Sequence, residues 1–173
     1  SDGKLIAAKA GTGEVDLQAR SLAFNNLTFL RENEKDGKFD TFLWRIAKGA
    51  HVALFPNLNV DDLVWSKMMR DVRFRRALSL GVDREAINES LFFGLALMGN
   101  NTLLPDSPLF RKEYQKQWAE YDPDMANEIP DEMGLTKYDD DDIRLLSDGR
   151  PMEIIIETAG EDTEQTDVLE LVA

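Results

Sequence analysis

The apolar and polar positions divide the chain into short segments of two periods. Leu5 to Ala10 reads as a helix closed by Gly11 and Gly13, and Glu14 to Ala19 as a short strand. Ala23 to Asp36 sets Phe24, Leu27 and Leu30 at helical spacing, with Gly37 as the stop. Phe39 to Ile46 is rich in aromatic and β-favouring residues and predicts a strand. His51 to Leu58 predicts a second strand, in which Pro56 marks an end, an edge or a bulge.

The middle of the chain changes to the helical period. Asp61 to Met69 predicts one helix. Asp71 caps a second that runs to about Leu80 and turns Val72, Phe74, Ala77 and Leu78 to one face, with Arg73, Arg75 and Arg76 largely on the other. Gly81 breaks the pattern, and Asp83 caps a third helix through Phe93, ended by Gly94. Asn100 to Pro108 is a loop with turn chemistry in Pro105-Asp106-Ser107-Pro108. Asp122-Pro123 opens a further helix toward Met133, because proline is tolerated at the first helical position. Gly134 stops that helix, and Pro130 weakens or kinks its last turn.

Ile143 to Leu146 and Met152 to Thr158 predict two strands around the hairpin turn Ser147-Asp148-Gly149-Arg150. Asp167 to Ala173 reads as a helix without a C-cap. Together with the apolar residues that follow almost directly on Ser1, this makes both ends read as cut from a longer protein. The order of elements predicts an α/β layer with a mixed sheet and packed helices, over residues 1–173 as one domain.

Composition narrows the function classes. The net charge of −13 opposes binding to nucleic acid and to anionic membrane surfaces. With no cysteine, disulfides, zinc–thiolate sites and a cysteine nucleophile are excluded. No apolar run reaches the roughly 18 residues that a spanning helix needs, so no membrane insertion of this segment is expected.

The candidate chemistry is thin. Asp139-Asp140-Asp141-Asp142 invites a calcium loop, but Arg144 stands where an EF-hand requires glycine, so a solvated acidic turn is the better reading. His51 is the one histidine and has no second histidine with which to share a metal or a proton. Arg73 to Ile87 has the outline of a helix-turn-helix, yet its second helix, from Arg84 to Glu89, is not basic as a recognition helix would be. There is no phosphate loop, no G-x-S-x-G elbow and no H-E-x-x-H. No catalytic residue, metal site or cofactor is assigned, and the reading is not an enzyme.

Asp71-Val72-Arg73-Phe74-Arg75-Arg76-Ala77-Leu78, continuing to Asp83-Arg84 and Ile87-Asn88 with Gly94 beyond, resembles the distinctive segment of the oligopeptide/dipeptide/nickel solute-binding proteins of ABC importers. Gly13-Glu14-Val15-Asp16, Phe55-Pro56-Asn57-Leu58-Asn59, Leu104 to Pro108 and the helix from Asp122 to Leu135 are similar to further parts of that family. Gly81 and Pro130 depart from it, at positions that concern packing.

The resemblance implies a partial second, C-terminal lobe of a type II periplasmic-binding-protein fold, in a protein that closes two lobes on its ligand. It implies an extracytoplasmic or periplasmic location, a peptide or oligosaccharide ligand, and a membrane permease as partner. It implies that the acidic residue pairing with a peptide's α-ammonium lies beyond Ala173. Ligand-facing residues are expected in the loop of Asn57 and Asn59 and at Phe93 and Gly94. The plainer reading of each asparagine is a turn residue bonding its own backbone. A different class, an interaction or sensor module on the same fold, would act through an exposed apolar face.

Overall fold

The computed structural model describes residues 3–44, 48–159 and 163–172. The helices in chain order are α1 (Gly3–Gly11), α2 (Leu27–Gly37, entered through a 3-10 turn at Phe24–Asn26), α3 (Leu63–Arg70), α4 (Val72–Leu80), α5 (Arg84–Phe92), α6 (Lys112–Lys116), α7 (Pro123–Glu132) and α8 (Thr163–Val172).

Aspartates begin the central helices, as the pattern predicts at Asp71, Asp83 and Asp122, and Asp62 caps the helix expected from Asp61. The carboxylates of Asp62, Asp71, Asp83 and Asp122 accept from the amides of Val64 and Trp65, of Arg73, of Ala86 and of Met125. Each thereby satisfies donors that have no partner inside the helix. Asp71 also closes the preceding helix, since its own amide donates to the carbonyls of Lys67 and Met68 at 3.2 and 2.9 Å. One residue therefore sets the corner between α3 and α4.

That corner holds the main core. Met68, Phe74, Leu135 and Leu146 are buried together, with Val64, Trp65, Met69, Leu78, Met133 and Met152 packed around them. Burial of a side chain such as Phe74 is worth about 1.5–3 kcal/mol. α4 packs along α7. α7 continues through Pro130, which removes one amide from the ladder. Its end tightens instead: the amides of Met133 and Gly134 reach back three residues, to the carbonyls of Pro130 and Asp131. The buried Arg144 guanidinium then fastens residues 138–152 to the end of α7, bonding the Asp131 carboxylate and the carbonyls of Leu135 and Asn127, with the Tyr138 ring 4.8 Å away.

At the other end, α1 packs on α2. Gly37, expected as the stop of α2, is instead its last helical residue, and Lys38 takes the left-handed turn at φ 57°. The missing Cβ matters for packing here. A Cβ on Gly37 would lie 2.9 Å from the Gly11 carbonyl, and one on Gly13 (φ 73°) would lie 2.3 Å from the Gly37 carbonyl.

The strands are the main correction. Glu14–Ala19, Phe39–Trp44, His51–Leu58 and Glu153–Thr158 are non-helical segments without a ladder, and Arg45 and Ile46 lie outside the described residues, as does Ala173. Among the described residues, pairing is confined to the antiparallel bridges Tyr138–Arg144 and Leu145–Pro151. The predicted turn does form. The Leu146 carbonyl accepts from Gly149 at 3.0 Å, the Leu146 amide donates to Arg150 at 2.8 Å, and Gly149 stands at φ 87°. Pairing ends at Met152, whose amide donates to the Arg144 carbonyl. β-favouring residues make a strand only when a second strand offers its amides and carbonyls, and no such neighbour lies beside these segments among the described residues.

Candidate functional site

The residues expected to face a ligand fall in two places. The Asn57 side chain accepts from the Asn59 amide at 3.0 Å, the plain turn role, and the Asn59 side chain accepts from Arg70 at 3.5 Å. Arg70 also donates to the Leu58 carbonyl at 2.8 Å, so the C-terminal end of α3 holds this loop. Phe93 and Gly94 form the left-handed end of α5, at φ 53° and 71°. The Phe93 ring rests 5.7 Å from that of Phe24, half of the residue is exposed, and a Cβ on Gly94 would meet open space. No hydrogen bond or ring contact among the described residues joins the asparagine pair to Phe93 and Gly94.

Asn88 supports the second place. It is buried, its side chain accepts from the Ala96 amide at 2.9 Å and donates to the Ala96 carbonyl at 3.2 Å, and so it closes the loop that carries Phe93 and Gly94. His51 points elsewhere. Its Nδ1 lies 3.1 Å from the Glu164 carboxylate and its ring 5.5 Å from that of Phe92, tying the segment before Val52 to α8 and α5.

Beside His51 opens a groove of about 390 Å³ that sequence reasoning did not find. One wall is Lys48 with residues 50–55, another is Ile156–Thr158, and Gln165 and Leu169 of α8 close a side. The first wall is pressed against the loop after Asn100: a Cβ on Gly49 would lie 2.4 Å from the Thr102 carbonyl. The lining mixes apolar side chains from Val52 to Phe55 with polar groups of Asn101, Glu157 and Thr158. These residues come from segments far apart in the chain, so no spacing could announce them. A usable signal was present nonetheless in the uninterrupted apolar run Val52–Phe55, of which every residue lines the groove.

The charges of the 147–150 turn and of the four aspartates serve structure. Arg150 donates to Asp62 and Asp148, each at 2.7 Å, which joins the 147–150 turn to the start of α3. The Trp65 amide, with Arg150 beside it, holds the Asp62 carboxyl below its ordinary range, and Arg150 does the same for Asp148. Asp139 accepts from the amides of Asp141 and Ile143, so the four aspartates form a turn. Among the described residues no group of three or more His, Asp or Glu is placed to hold a metal ion.

The model of the family described as "Bacterial extracellular solute-binding proteins, family 5 Middle" matches residues 4–173. The chain belongs to this family. Among solved structures, an oligopeptide-binding protein OppA is similar to this family 5 chain with 42% identity and a TM-score of 0.77, over 99% of the chain. The chain spans 28% of that protein's length. Comparison with curated proteins gives no match. At that identity, the likeness supports a periplasmic-binding-protein fold for this family 5 chain, and its helices fit the expectation. The mixed sheet is not formed among the described residues.

Proposed function

We propose that the chain is part of the C-terminal lobe of a two-lobed receptor that captures oligopeptides outside the cytoplasm and passes them to the permease of an ABC importer. The observation that carries this reading is the family match over residues 4–173 together with 42% identity to an oligopeptide-binding protein. That likeness favours peptides over oligosaccharides. A ligand of this size normally buries most of its surface, and a cleft between two lobes provides such burial. The Asn57–Asn59 loop and the Phe93–Gly94 turn would contribute from this lobe. The acidic partner of a peptide's α-ammonium would come from beyond Ala173. The protein would bind without chemistry, and the mixed sheet would be completed by the longer polypeptide.

The test is a thermal-shift panel on the longer protein with short peptides, gluco-oligosaccharides and nickel chelates. Ligand at 100 times its Kd stabilises a native state by about 2.7 kcal/mol, which is readily measured. A shift with peptides alone is the expected result. A shift with saccharides alone would reassign the cargo, and no shift with any class would favour an interaction or sensor role.

A further inference from the structure

Among the described residues, Ser21, Lys38, Phe93, Trp118 and Asp142 take a left-handed backbone without being glycine. A bulky side chain is strained there, because its Cβ crowds the neighbouring carbonyl. For Trp118, at φ 60°, the strain serves the fold. Its carbonyl accepts from the Ser79 hydroxyl at 2.6 Å, and the Arg76 guanidinium lies 4.6 Å from the centre of its ring. Phe93, at φ 53°, differs: it is half exposed, and its ring rests on that of Phe24.

Phe93 closes α5, a position where glycine is the usual residue because it enters the left-handed turn freely. The chain places a glycine at the next position, in the same left-handed region at φ 71°. A turn that only had to end the helix would be better served by glycine at both positions. A strained and half-exposed aromatic side chain at such a point marks a functional position, held in place by the structure around it.

Asn88 does the holding. Its carbonyl accepts from the amides of Phe93 and Gly94, and its buried side chain exchanges two hydrogen bonds with the backbone of Ala96. The turn is therefore fixed on both sides by one residue. Phe24 backs the ring and itself lies 5.9 Å from the buried Phe92. Leu95 and Leu97 stand exposed just beyond, and Leu91 to Met98 carries no charge in a chain at −13. Such a surface has nothing to offer a charged peptide terminus. It suits an aromatic side chain, which gains from apolar burial and from ring-on-ring contact together.

We propose that the Phe93 ring is the contact for an aromatic side chain of the bound peptide, so that this turn sets a preference for aromatic residues in the cargo. The inference rests on the reading of the chain as part of a peptide receptor, and adds to it a contact residue and a side-chain class. The rival role for the ring is as a core residue covered by the longer polypeptide. The two roles differ in what removal of the ring does to stability without ligand.

The experiment uses the full-length protein with trialanine and the three tripeptides in which one alanine is replaced by phenylalanine. Kd is measured by titration calorimetry, and urea midpoints are measured without peptide. The wild-type protein is expected to bind at least one phenylalanine peptide about tenfold or more tightly than trialanine. Phe93→Gly should abolish that preference and change the trialanine Kd by less than about twofold. It should leave the midpoint unchanged or higher, because glycine relieves the strain. Phe93→Tyr, equally strained and still aromatic, should keep the preference. A wild-type protein without the preference, or a Phe93→Gly protein that retains it, would overturn the proposal. So would a midpoint of Phe93→Gly below the wild-type value, which would make the ring a core residue. Binding of all four peptides alike would sink this proposal and leave the receptor reading standing, whereas binding of none would sink both.

Discussion

Asn88 illustrates how one side chain can serve a site it does not touch. Its amide exchanges two hydrogen bonds with the Ala96 backbone and closes the loop of Phe93 and Gly94. Replacement by alanine leaves partly buried backbone groups unpaired, at a cost of about 1–2 kcal/mol. We expect Asn88→Ala to lower the unfolding free energy by that amount, read from a lower urea midpoint at an unchanged m-value, and a loss below about 0.3 kcal/mol would mean that the loop is held by other contacts. The capping aspartates were legible in the sequence because a cap acts within three residues of itself. The role of Asn88 was not, since Ala96 is eight positions away and only the folded loop brings it back. Asn57 was legible in its plainer form, as a turn residue bonding nearby backbone.

At the scale of elements, the helices followed their periodicity and the strands did not follow theirs. A helix satisfies its own backbone, so Val72–Leu80 and Pro123–Glu132 form where their patterns end. A strand borrows its partners, and the apolar runs at 52–55 and 154–156 have none among the described residues. The close contact of α1 and α2 was equally hidden: Gly37 read as a local stop, while its neighbourhood with Gly13 is tertiary. Gly13→Ala meets both a positive φ and the Gly37 carbonyl at 2.3 Å. Incompatible glycine sites of this kind cost more than about 1 kcal/mol, so Gly13→Ala should lower the unfolding free energy from denaturant titration by at least that much. Gly134→Ala serves as the control, because its φ is also positive, at 87°, with open space around the added Cβ, and it should cost less. Equal losses would show that backbone strain alone sets the penalty.

For the whole molecule, the charge and the carboxylate pairs pull in opposite directions as pH falls. Protonation first relieves the self-repulsion of a chain at −13, whose pI is about 4.5. Asp62, Asp71, Asp148 and Glu34 are held below their ordinary values by amide and arginine hydrogen bonds. A depressed carboxyl contributes stability above its ordinary value, near 4 for these groups, and loses it as pH falls through the lowered folded value. Melting temperatures should therefore be level or slightly higher from pH 7 to 5 and should fall below about pH 4. A steady decline beginning at pH 7 would show that these four groups do not govern the profile. The sequence by itself determined the local features: the central helices with the caps Asp71 and Asp83, the helix opened by Asp122, the 147–150 turn and the family signature from Asp71 to Gly94. Each of these depends on residues a few positions apart, where chain connectivity already supplies the partner. Only the tertiary structure decided the Arg144 anchor, the Gly13–Gly37 approach and the groove between 52–55 and 156–158. These depend on groups that the chain brings together at the expense of conformational entropy, and no short-range pattern records which groups will meet.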